Sequence, residues 1–398
     1  MPLKIGLVTG EYPPMEGGVG AYTQQLARAL SQLGHQIHII TSHDARIEPQ
    51  KRRFWDPQEP VDLGYAFLHP LVNRWWWSST SKVARIAVDN ELSVVNLQYQ
   101  AAAYSMRVPA INFLPWRLRE VTKTVVTFHD LRHPYLFPKA GRFRPGVVRI
   151  LARSAEGVIV TNEEDYLELV EHGLEKNKIT QIPIGSNIRA TIPSRNSVIK
   201  LRKQLALKQS DHLLGYFGFV NASKGADILI QALTKLPEHV HLLFLGAQTG
   251  SSDPKNNETF RSQLIEAIEE SGLSGRVHWS GFLSDEEVSI AMYAVDLMVL
   301  PYRDGVSLRR GTLMATLAHG RPLLTTFPTS SLSELIHGEN VWLVPVDDPD
   351  ALKEALEMLL GDRDRRLRLG QGALAVANCF TWDKIAQNTV AFYDQIVS

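Results

Sequence analysis

Short runs of apolar residues alternate along this chain with longer segments whose apolar residues recur at helical spacing. Runs such as Ile5–Thr9 and Leu297–Leu300 have few polar positions, which is typical of strands buried on both faces of a parallel sheet. Because such runs are followed by segments of helical periodicity, the pattern predicts repeated β-α-β units and an α/β fold. The predicted strands are Ile5–Thr9, Ile37–Thr41, Val94–Leu97, Thr124–Phe128, Gly157–Thr161, Leu213–Phe217, His241–Leu245, Val277–Trp279, Leu297–Leu300, Arg321–Thr325 and Val341–Val344.

The length of 398 residues predicts two domains, because one hydrophobic core rarely serves so long a chain. The best boundary is Pro183–Leu201, which is polar, contains two prolines and has no sustained period. Domains at 1–185 and 186–378 are therefore predicted, followed by a terminal helix at 379–398. Ligands of open parallel sheets bind outside the carboxyl ends of the strands. The predicted active site is accordingly a cleft between the two domains.

The segment Leu297–Thr326 reads as a strand, a loop, a helix and a second strand, and it carries the clearest indication of a ligand. Ser307 is predicted to cap the helix, which places Arg309, Arg310, Gly311 and Thr312 at or near its first turn. Free N–H groups and the positive end of the helix dipole favour an anion there, and two guanidinium groups add to that preference. The segment predicts a diphosphate site; a solvated pair of arginines on an ordinary surface helix is the alternative.

Composition narrows the classes of function. Lysine plus arginine and aspartate plus glutamate number 42 each, so no general affinity for nucleic acid is implied. Cys379 is the sole cysteine, which excludes an internal disulfide and fits a reducing cytoplasm. No apolar run is long enough to span a bilayer and no signal peptide is visible, so a cytoplasmic protein, soluble or peripheral on the membrane, is expected.

Four blocks of sequence, described below, resemble the family 4 retaining glycosyltransferases of the GT-B fold in their residues, their order and their spacing. The first runs from Lys4 to Thr41 and contains the loop Gly17–Gly20; the second is the strand that ends at His129 and Asp130. The third opens the C-terminal half with LLGYFGFVNASKGADILIQAL, and the last comprises SELIHGENVWLVPVDDPDALKEAL and FTWDKIAQNTVAFY. The resemblance implies two Rossmann-like parallel-sheet domains facing an interdomain cleft, with the terminal helix crossing back to the N-terminal domain.

The resemblance also assigns roles to residues. Gly17 and Gly18 correspond to a loop that faces the donor phosphate and the acceptor, and His129 to a histidine at the reacting sugar. Lys224 corresponds to the lysine that holds the donor diphosphate, next to the glycine turn at Gly218. The turn around Phe282 corresponds to the region that meets the nucleotide base. Ordinary structural readings stay open for these residues, including a satisfied strand-end histidine and a surface lysine.

Two departures from the family pattern affect the donor site. Phe219 stands where most members have an arginine, so one phosphate cation is missing. The Glu-x7-Glu signature is absent. Counting back from Gly320 without gaps places Ser307 and Ala315 at the two glutamate positions. An alternative alignment, with three residues inserted before Gly320, places Asp304 and Thr312 there. Our leading hypothesis is that Arg309 and Arg310 restore the lost positive charge from the opposite loop.

The sequence therefore predicts a hexosyltransferase that uses a nucleotide sugar as donor substrate, with no cofactor and no metal, and that retains anomeric configuration. His129, Lys224 and Arg310 are the expected catalytic residues. Gly17, Gly18, Gly218, Phe282, Ser307, Arg309, Gly311 and Thr312 are the expected donor-binding residues. The acceptor is expected to be a glycan, a glycolipid or a small molecule.

Alternatives from other classes remain open at this stage. The missing acidic signature favours a catalytically silent GT-B protein that binds glycans or assembles with partners, and a GT-B epimerase is a third interpretation. The cluster Arg74–Trp77, with Trp116 and the run Lys51–Trp55, suits either a sugar ring or a lipid headgroup surface. Packing of these tryptophans between helices is the plain alternative to a peripheral membrane contact through the N-terminal domain.

Overall fold

A computed structural model describes residues 2–15, 17–45, 59–136, 141, 144–246 and 254–398. The chain divides into two compact units. The first comprises Met1–Ile184 together with Trp382–Ser398, and the second comprises Gly185–Thr381. The basic run Lys51–Trp55 lies outside the described residues.

The first unit is built on an eight-stranded sheet in the order β3-β4-β2-β1-β5-β6-β7-β8. All neighbouring strands are parallel except the pair β3 and β4. The strands are β1 (Lys4–Thr9), β2 (Gln36–Ser42), β3 (Val61–Asp62), β4 (Phe67–Val72), β5 (Val94–Tyr99), β6 (Lys123–Phe128), β7 (Gly157–Val160) and β8 (Ile179–Gln181).

Helices cover this sheet and bury apolar side chains against it. The helices of the first unit are α1 (Gly18–Gln32), α2 (Trp77–Asp89), α3 (Ala101–Tyr104), α4 (Leu114–Leu118), α5 (Arg144–Ser154), α6 (Glu163–Glu171) and the C-terminal α14 (Trp382–Val397). The last of these returns to the first unit, where the buried Tyr393 hydroxyl accepts a hydrogen bond from Asn96 at 2.5 Å. Gly157 allows α14 to approach, since a Cβ there would lie 2.8 Å from the Phe392 ring.

The second unit has a six-stranded sheet in the order β11-β10-β9-β12-β13-β14, and every neighbouring pair is parallel. Its strands are β9 (His212–Phe217), β10 (Val240–Leu245), β11 (Val277–Trp279), β12 (Leu297–Leu300), β13 (Leu323–Thr326) and β14 (Trp342–Val344). Its helices are α7 (Arg195–Gln204), α8 (Ala226–Thr234), α9 (Pro254–Glu270), α10 (Asp285–Ala294), α11 (Gly311–Ala318), α12 (Pro349–Gly361) and α13 (Arg363–Ala377).

These sheets confirm the α/β fold class and the parallel arrangement predicted from the apolar runs. Each predicted strand overlaps an observed one, although β13 begins at Leu323 rather than Arg321. Strands β3, β4 and β8 were not predicted. Strand β4 contains Pro70, a residue that argues against a strand inside a sheet, and its pairing with β2 shifts register between Thr41 and Ser42.

Candidate functional site

The carboxyl end of strand β9 approaches Lys224 and helix α11 without an intervening side chain. Gly218 follows the strand directly and has a φ of +116°, a backbone conformation that favours glycine. A Cβ on this residue would lie 2.7 Å from Thr312 Cγ2 and 3.0 Å from Lys224 Nζ. The sequence-predicted residues Gly218, Lys224 and Thr312 therefore meet at one end of the sheet.

Lys224 is half-buried at the end of the short turn Ala222–Lys224. Burial, and to a lesser extent the nearby positive charge of Arg310, lower the pKa of its ammonium group from 10.5 to about 8. The ammonium nitrogen lies 5.6 Å from the centroid of the Phe219 ring. Phe219 thus gives Lys224 an aromatic face, where the resemblance stated above leads us to expect an arginine.

Arg310 is held at the start of helix α11 by two neighbours from the preceding loop. Its guanidinium carbon lies 4.6 Å from the centroid of the buried Tyr302 ring, and it forms an ion pair with Asp304. The Tyr302 hydroxyl is 2.7 Å from Thr312 Oγ1. These contacts fix the side chain that the sequence predicted to hold a diphosphate.

The helix begins later than the sequence predicted, so the expected role of Ser307 as its N-cap is wrong. Helix α11 starts at Gly311 and its N-cap residue is Arg310, which provides no side-chain cap. Ser307 belongs instead to the turn before it, where its hydroxyl accepts from the Arg309 N–H at 3.4 Å and its carbonyl from the Arg310 N–H at 3.0 Å. The first N–H groups of a helix have no partner within the helix, which leaves those of Gly311 and Thr312 available to an anion.

Arg303 ties the loop after β12 to the turn that carries Lys224. Its guanidinium group binds Asp227 at 2.7 Å and Asp347 at 2.6 Å, and its backbone N–H donates to the Ser223 carbonyl at 2.9 Å. Sequence reasoning missed this residue, because its two carboxylate partners lie 76 and 44 positions away along the chain. Arg303 therefore positions the two loops rather than adding another free cation.

In the first unit, a carboxylate binds the glycine-rich start of helix α1, where Gly17 is the N-cap residue. Glu11 Oε1 accepts hydrogen bonds from the N–H groups of Val19 at 3.0 Å and Gly20 at 3.3 Å. A Cβ on Gly17 would lie 2.0 Å from that carboxylate, whereas one on Gly18 would meet nothing within 4 Å. Gly17 thus makes room for Glu11, and Gly18, the first residue of the helix, is the open position of this segment. Burial raises the pKa of Glu11 against the lowering effect of these two hydrogen bonds.

His129 follows strand β6 directly, as predicted, and is held in a neutral form. Burial lowers the pKa of its imidazole to about 3. Its Nε2 lies 3.1 Å from Gln98 Oε1, and its ring meets the Tyr22 ring edge to face at 4.7 Å. With Nε2–H donating to Gln98, Nδ1 carries the lone pair.

Both halves of the chain match known families. Residues 17–185 match the family described as "Glycosyl transferase 4-like domain", and residues 211–362 match "Glycosyl transferases group 1". The chain belongs to the group 1 glycosyltransferases. This confirms the family that the four sequence blocks resemble.

Two relatives of this glycosyltransferase match nearly its full length. It is 25% identical to a D-inositol 3-phosphate glycosyltransferase from Xylanimonas cellulosilytica, over 95% of this chain and 92% of the relative. It is 24% identical to a mannosylfructose-phosphate synthase from Agrobacterium fabrum, over 96% of this chain and 88% of the relative.

Solved structures of the same fold cover almost the whole glycosyltransferase. A sucrose-phosphate synthase from Thermosynechococcus elongatus has a TM-score of 0.75 at 20% identity, covering 99% of this chain and 98% of the other. HepE from Anabaena, solved in complex with UDP and glucose, has a TM-score of 0.74 at 20% identity, covering 98% of each chain. These neighbours confirm the GT-B fold.

Two further groups of predicted residues in this glycosyltransferase lie in exposed positions. Phe282, on the turn after β11, is 80% exposed. Of the consecutive tryptophans, Trp75 is buried, whereas Trp76 and Trp77 are 51% and 54% exposed, and Trp116 is 57% exposed with the Arg119 guanidinium 5.3 Å from its ring. Within the described residues, no helix is both long and apolar enough to cross a membrane.

Proposed function

We propose that this glycosyltransferase moves a hexose from a nucleotide sugar to a glycan, glycolipid or small acceptor, with retention of anomeric configuration and without a metal. The observation that carries the proposal is that Lys224 and Thr312 meet at Gly218, with Arg310 at the start of helix α11 near enough for its charge to act on Lys224. Two cations and a helix N-terminus at one point form a site suited to a diphosphate.

The proposed chemistry uses these groups to stabilise the leaving nucleoside diphosphate. As the bond from the sugar to the phosphate breaks, negative charge grows on the phosphate oxygens. The ammonium of Lys224, the guanidinium of Arg310 and the N–H groups of Gly311 and Thr312 would bind that charge more strongly in the transition state than in the ground state. Because these groups supply positive charge themselves, we expect turnover to be insensitive to a metal chelator.

Asp304 is proposed to hold the Arg310 side chain in position before the donor binds. Its ion pair with Arg310 holds the guanidinium near Lys224, whose pKa responds to both charges. A donor diphosphate would compete with the Asp304 carboxylate for Arg310, so the pair keeps the site positioned before the donor arrives. Arg309, which is half-buried beside Arg310, is proposed as an additional donor-binding residue with Ser307 in the same turn.

For the acceptor side, we propose His129 and the open position at Gly18. A neutral imidazole can exchange hydrogen bonds with a sugar hydroxyl without changing charge. The relatives named for inositol 3-phosphate and mannosylfructose phosphate make phosphorylated sugars and polyols the first acceptors to test. The base would lie near the turn at Phe282.

The proposal is tested by incubating the protein with a panel of nucleotide hexoses and these acceptors, with and without chelator, and detecting products by mass spectrometry. We expect one donor to give a product whose anomeric configuration, read by NMR, matches that of the donor. An inverted product would contradict retention. A protein that binds nucleoside diphosphates but transfers nothing to any acceptor would favour the silent GT-B alternative that the missing acidic signature suggests.

The pKa of Lys224 predicts how kcat/KM depends on pH. With a pKa of about 8 in the free protein, Lys224 carries its charge at pH 7 and loses it as the pH rises above that value. We therefore expect kcat/KM to fall on the alkaline side with a midpoint near 8, because kcat/KM reports the free enzyme. In Lys224→Arg the side chain should keep its charge at these pH values, so kcat/KM should no longer fall there. If the same alkaline fall in kcat/KM remains in this variant, another group causes it.

The exposed tryptophans support a proposed peripheral membrane contact of the first unit. Trp76, Trp77 and Trp116 present amphipathic rings, and Arg119 beside Trp116 favours anionic headgroups. Sedimentation with vesicles containing anionic lipid should pull down the wild type and leave a Trp76→Ala, Trp116→Ala variant in solution. Equal recovery of both proteins with the vesicles would show that these side chains do not make the membrane contact. Phe282→Ala, in the second unit, serves as the control.

A further inference from the structure

A cavity of about 340 Å³ lies in the second unit at the opposite edge of the sheet from the Lys224 and Arg310 site. Its wall includes Asp296 and Arg321, which precede strands β12 and β13, whereas Gly218 follows strand β9. The other wall is the start of helix α13, including Arg363 and Arg366. Strands in this sheet are parallel, so the amino ends that border the cavity and the carboxyl ends that border the donor site face opposite ways.

The cavity contains more positive than negative charge. Arg321, Arg363 and Arg366 line it, and among the described residues none of these three guanidinium groups takes part in an ion pair. The one carboxylate on the wall, Asp296, accepts from the Leu213 N–H at 2.8 Å and pairs with Arg202 at 3.3 Å. Its charge is therefore already shared with a cation outside the cavity.

Arg321 has a buried hydrogen-bond donor that no acceptor of the described residues meets. Its Nη2 donates to the Val295 carbonyl at 2.7 Å, and its guanidinium carbon lies 5.1 Å from the centroid of the Tyr293 ring. Its Nε is buried and, within the described part of the chain, has no hydrogen-bond partner. A buried guanidinium donor without an acceptor is unusual, because burying an unmade hydrogen bond is unfavourable.

The other polar groups at the cavity do not supply the missing acceptor. His319 is committed to its own neighbours, with Nδ1 at 2.7 Å from the Ala315 carbonyl and Nε2 at 2.9 Å from Ser289 Oγ. Arg366 Nη1 donates to the Leu359 and Leu360 carbonyls, each at 2.6 Å, and thereby closes the end of helix α12. Carbonyl acceptors hold these arginines in place, and the single negative charge of Asp296, which acts on Arg321, offsets only part of the positive charge of the three arginines.

We propose that this cavity is a second anion site that binds a small phosphorylated ligand. A tetrahedral phosphate offers several acceptors to the guanidinium groups of Arg321, Arg363 and Arg366 that line the cavity, and guanidinium groups bind phosphate with two parallel hydrogen bonds. The volume is within the range of pockets that take compact ligands, so a sugar or polyol attached to the phosphate fits as well. Helix α11 connects this cavity, at His319 and Gly320, to the donor site at Gly311.

The test is calorimetric titration of the full-length Lys224→Met variant, whose donor site is impaired, with inorganic phosphate and separately with glucose 6-phosphate at constant ionic strength. We expect binding to persist in this background. Adding Arg363→Gln or Arg321→Gln should weaken binding about tenfold or more, since each removes a charged hydrogen-bond donor. Adding Arg368→Gln, on the same helix but outside the cavity lining, should leave binding unchanged.

Arg363 is exposed, so its replacement is not expected to disturb folding; unchanged melting temperatures would establish that for each variant. Tighter binding of glucose 6-phosphate than of phosphate would assign the site to an organic phosphate, and equal affinities would assign it to phosphate itself. The proposal is overturned if neither probe binds the Lys224→Met protein. It is also overturned if the proteins that additionally carry Arg363→Gln or Arg321→Gln bind as tightly as the one that carries Arg368→Gln.

Discussion

Replacing Lys224 with methionine is expected to lower kcat by about 100- to 1000-fold, by analogy with the loss of one donor from an oxyanion site. Methionine has nearly the length and shape of the lysine stem, so it keeps the packing while removing the charge. The loss should appear in kcat and kcat/KM together, because the interaction is proposed to strengthen as the diphosphate departs. Steady-state kinetics with the best donor from the transfer assay provide the measurement.

The same variant should not lose stability, which separates a functional lysine from a structural one. Burial and Arg310 lower the pKa of Lys224 from 10.5 to about 8, so its charged form is less favourable in the folded protein than in the unfolded chain. Between these two values the unfolded chain binds more protons. The wild type therefore gains stability from this group as the pH rises from about 8 to 10.5, and below that window the charged lysine opposes folding.

At pH 7 we thus expect Lys224→Met to have a melting temperature equal to or above that of the wild type. Lys235→Met is the matched control, because Lys235 lies at the end of the neighbouring helix α8 and is exposed with Asp350 as its partner. That variant should retain full turnover. Full turnover in Lys224→Met, or a fall in kcat explained by a lower melting temperature, would contradict the proposed role.

Gly225→Ala is expected to have the largest effect on stability, about 3–5 kcal/mol, which is in the range reached only by severe backbone or packing defects. Gly225 has a φ of +65°, and a Cβ there would lie 2.0 Å from the Pro301 carbonyl oxygen. Because that contact is with backbone, the turn carrying Lys224 or the loop after β12 must move. Donor binding should weaken together with stability, since this contact sets the distance between the two loops of the site.

Gly338→Ala is the control for the backbone conformation alone. Gly338 has a φ of +80° but a Cβ there would meet nothing within 4 Å, so its replacement should cost about 1–2 kcal/mol. Calorimetric unfolding of both variants measures the difference. Equal losses would show that the approach to Pro301 is not what requires glycine at position 225.

The fold was predictable because buried parallel strands leave a strong pattern in the sequence. Runs such as Leu297–Leu300 and Val277–Trp279 were predicted with their observed bounds. Strand β4 was missed since Pro70 breaks the usual pattern, and its stability comes from pairing with β2, which no local signal records. Tertiary pairing overrides local preference at that edge of the sheet.

The candidate site was predictable in its cations but not in the groups that hold them. Lys224 and Arg310 belong to recognisable strand-loop-helix segments, whereas Arg303 depends on Asp227 and Asp347, which only the folded chain brings together. Ser307 was misplaced as a helix cap because a local turn with Arg309 and Arg310 competes with the helix for its groups. The carboxylate of Glu11 against the Gly17 loop was likewise not predicted.

The most direct test of the central claim, a donor diphosphate held by Lys224 and Arg310, is calorimetric titration of the wild type and of Arg310→Ala with UDP, GDP, ADP and TDP. One nucleotide should bind the wild type, and Arg310→Ala should weaken it about 10- to 100-fold, as expected for a lost charged hydrogen bond. Lys235→Met should bind as the wild type does. Absence of binding by every nucleotide, or equal affinity in Arg310→Ala, would contradict the account.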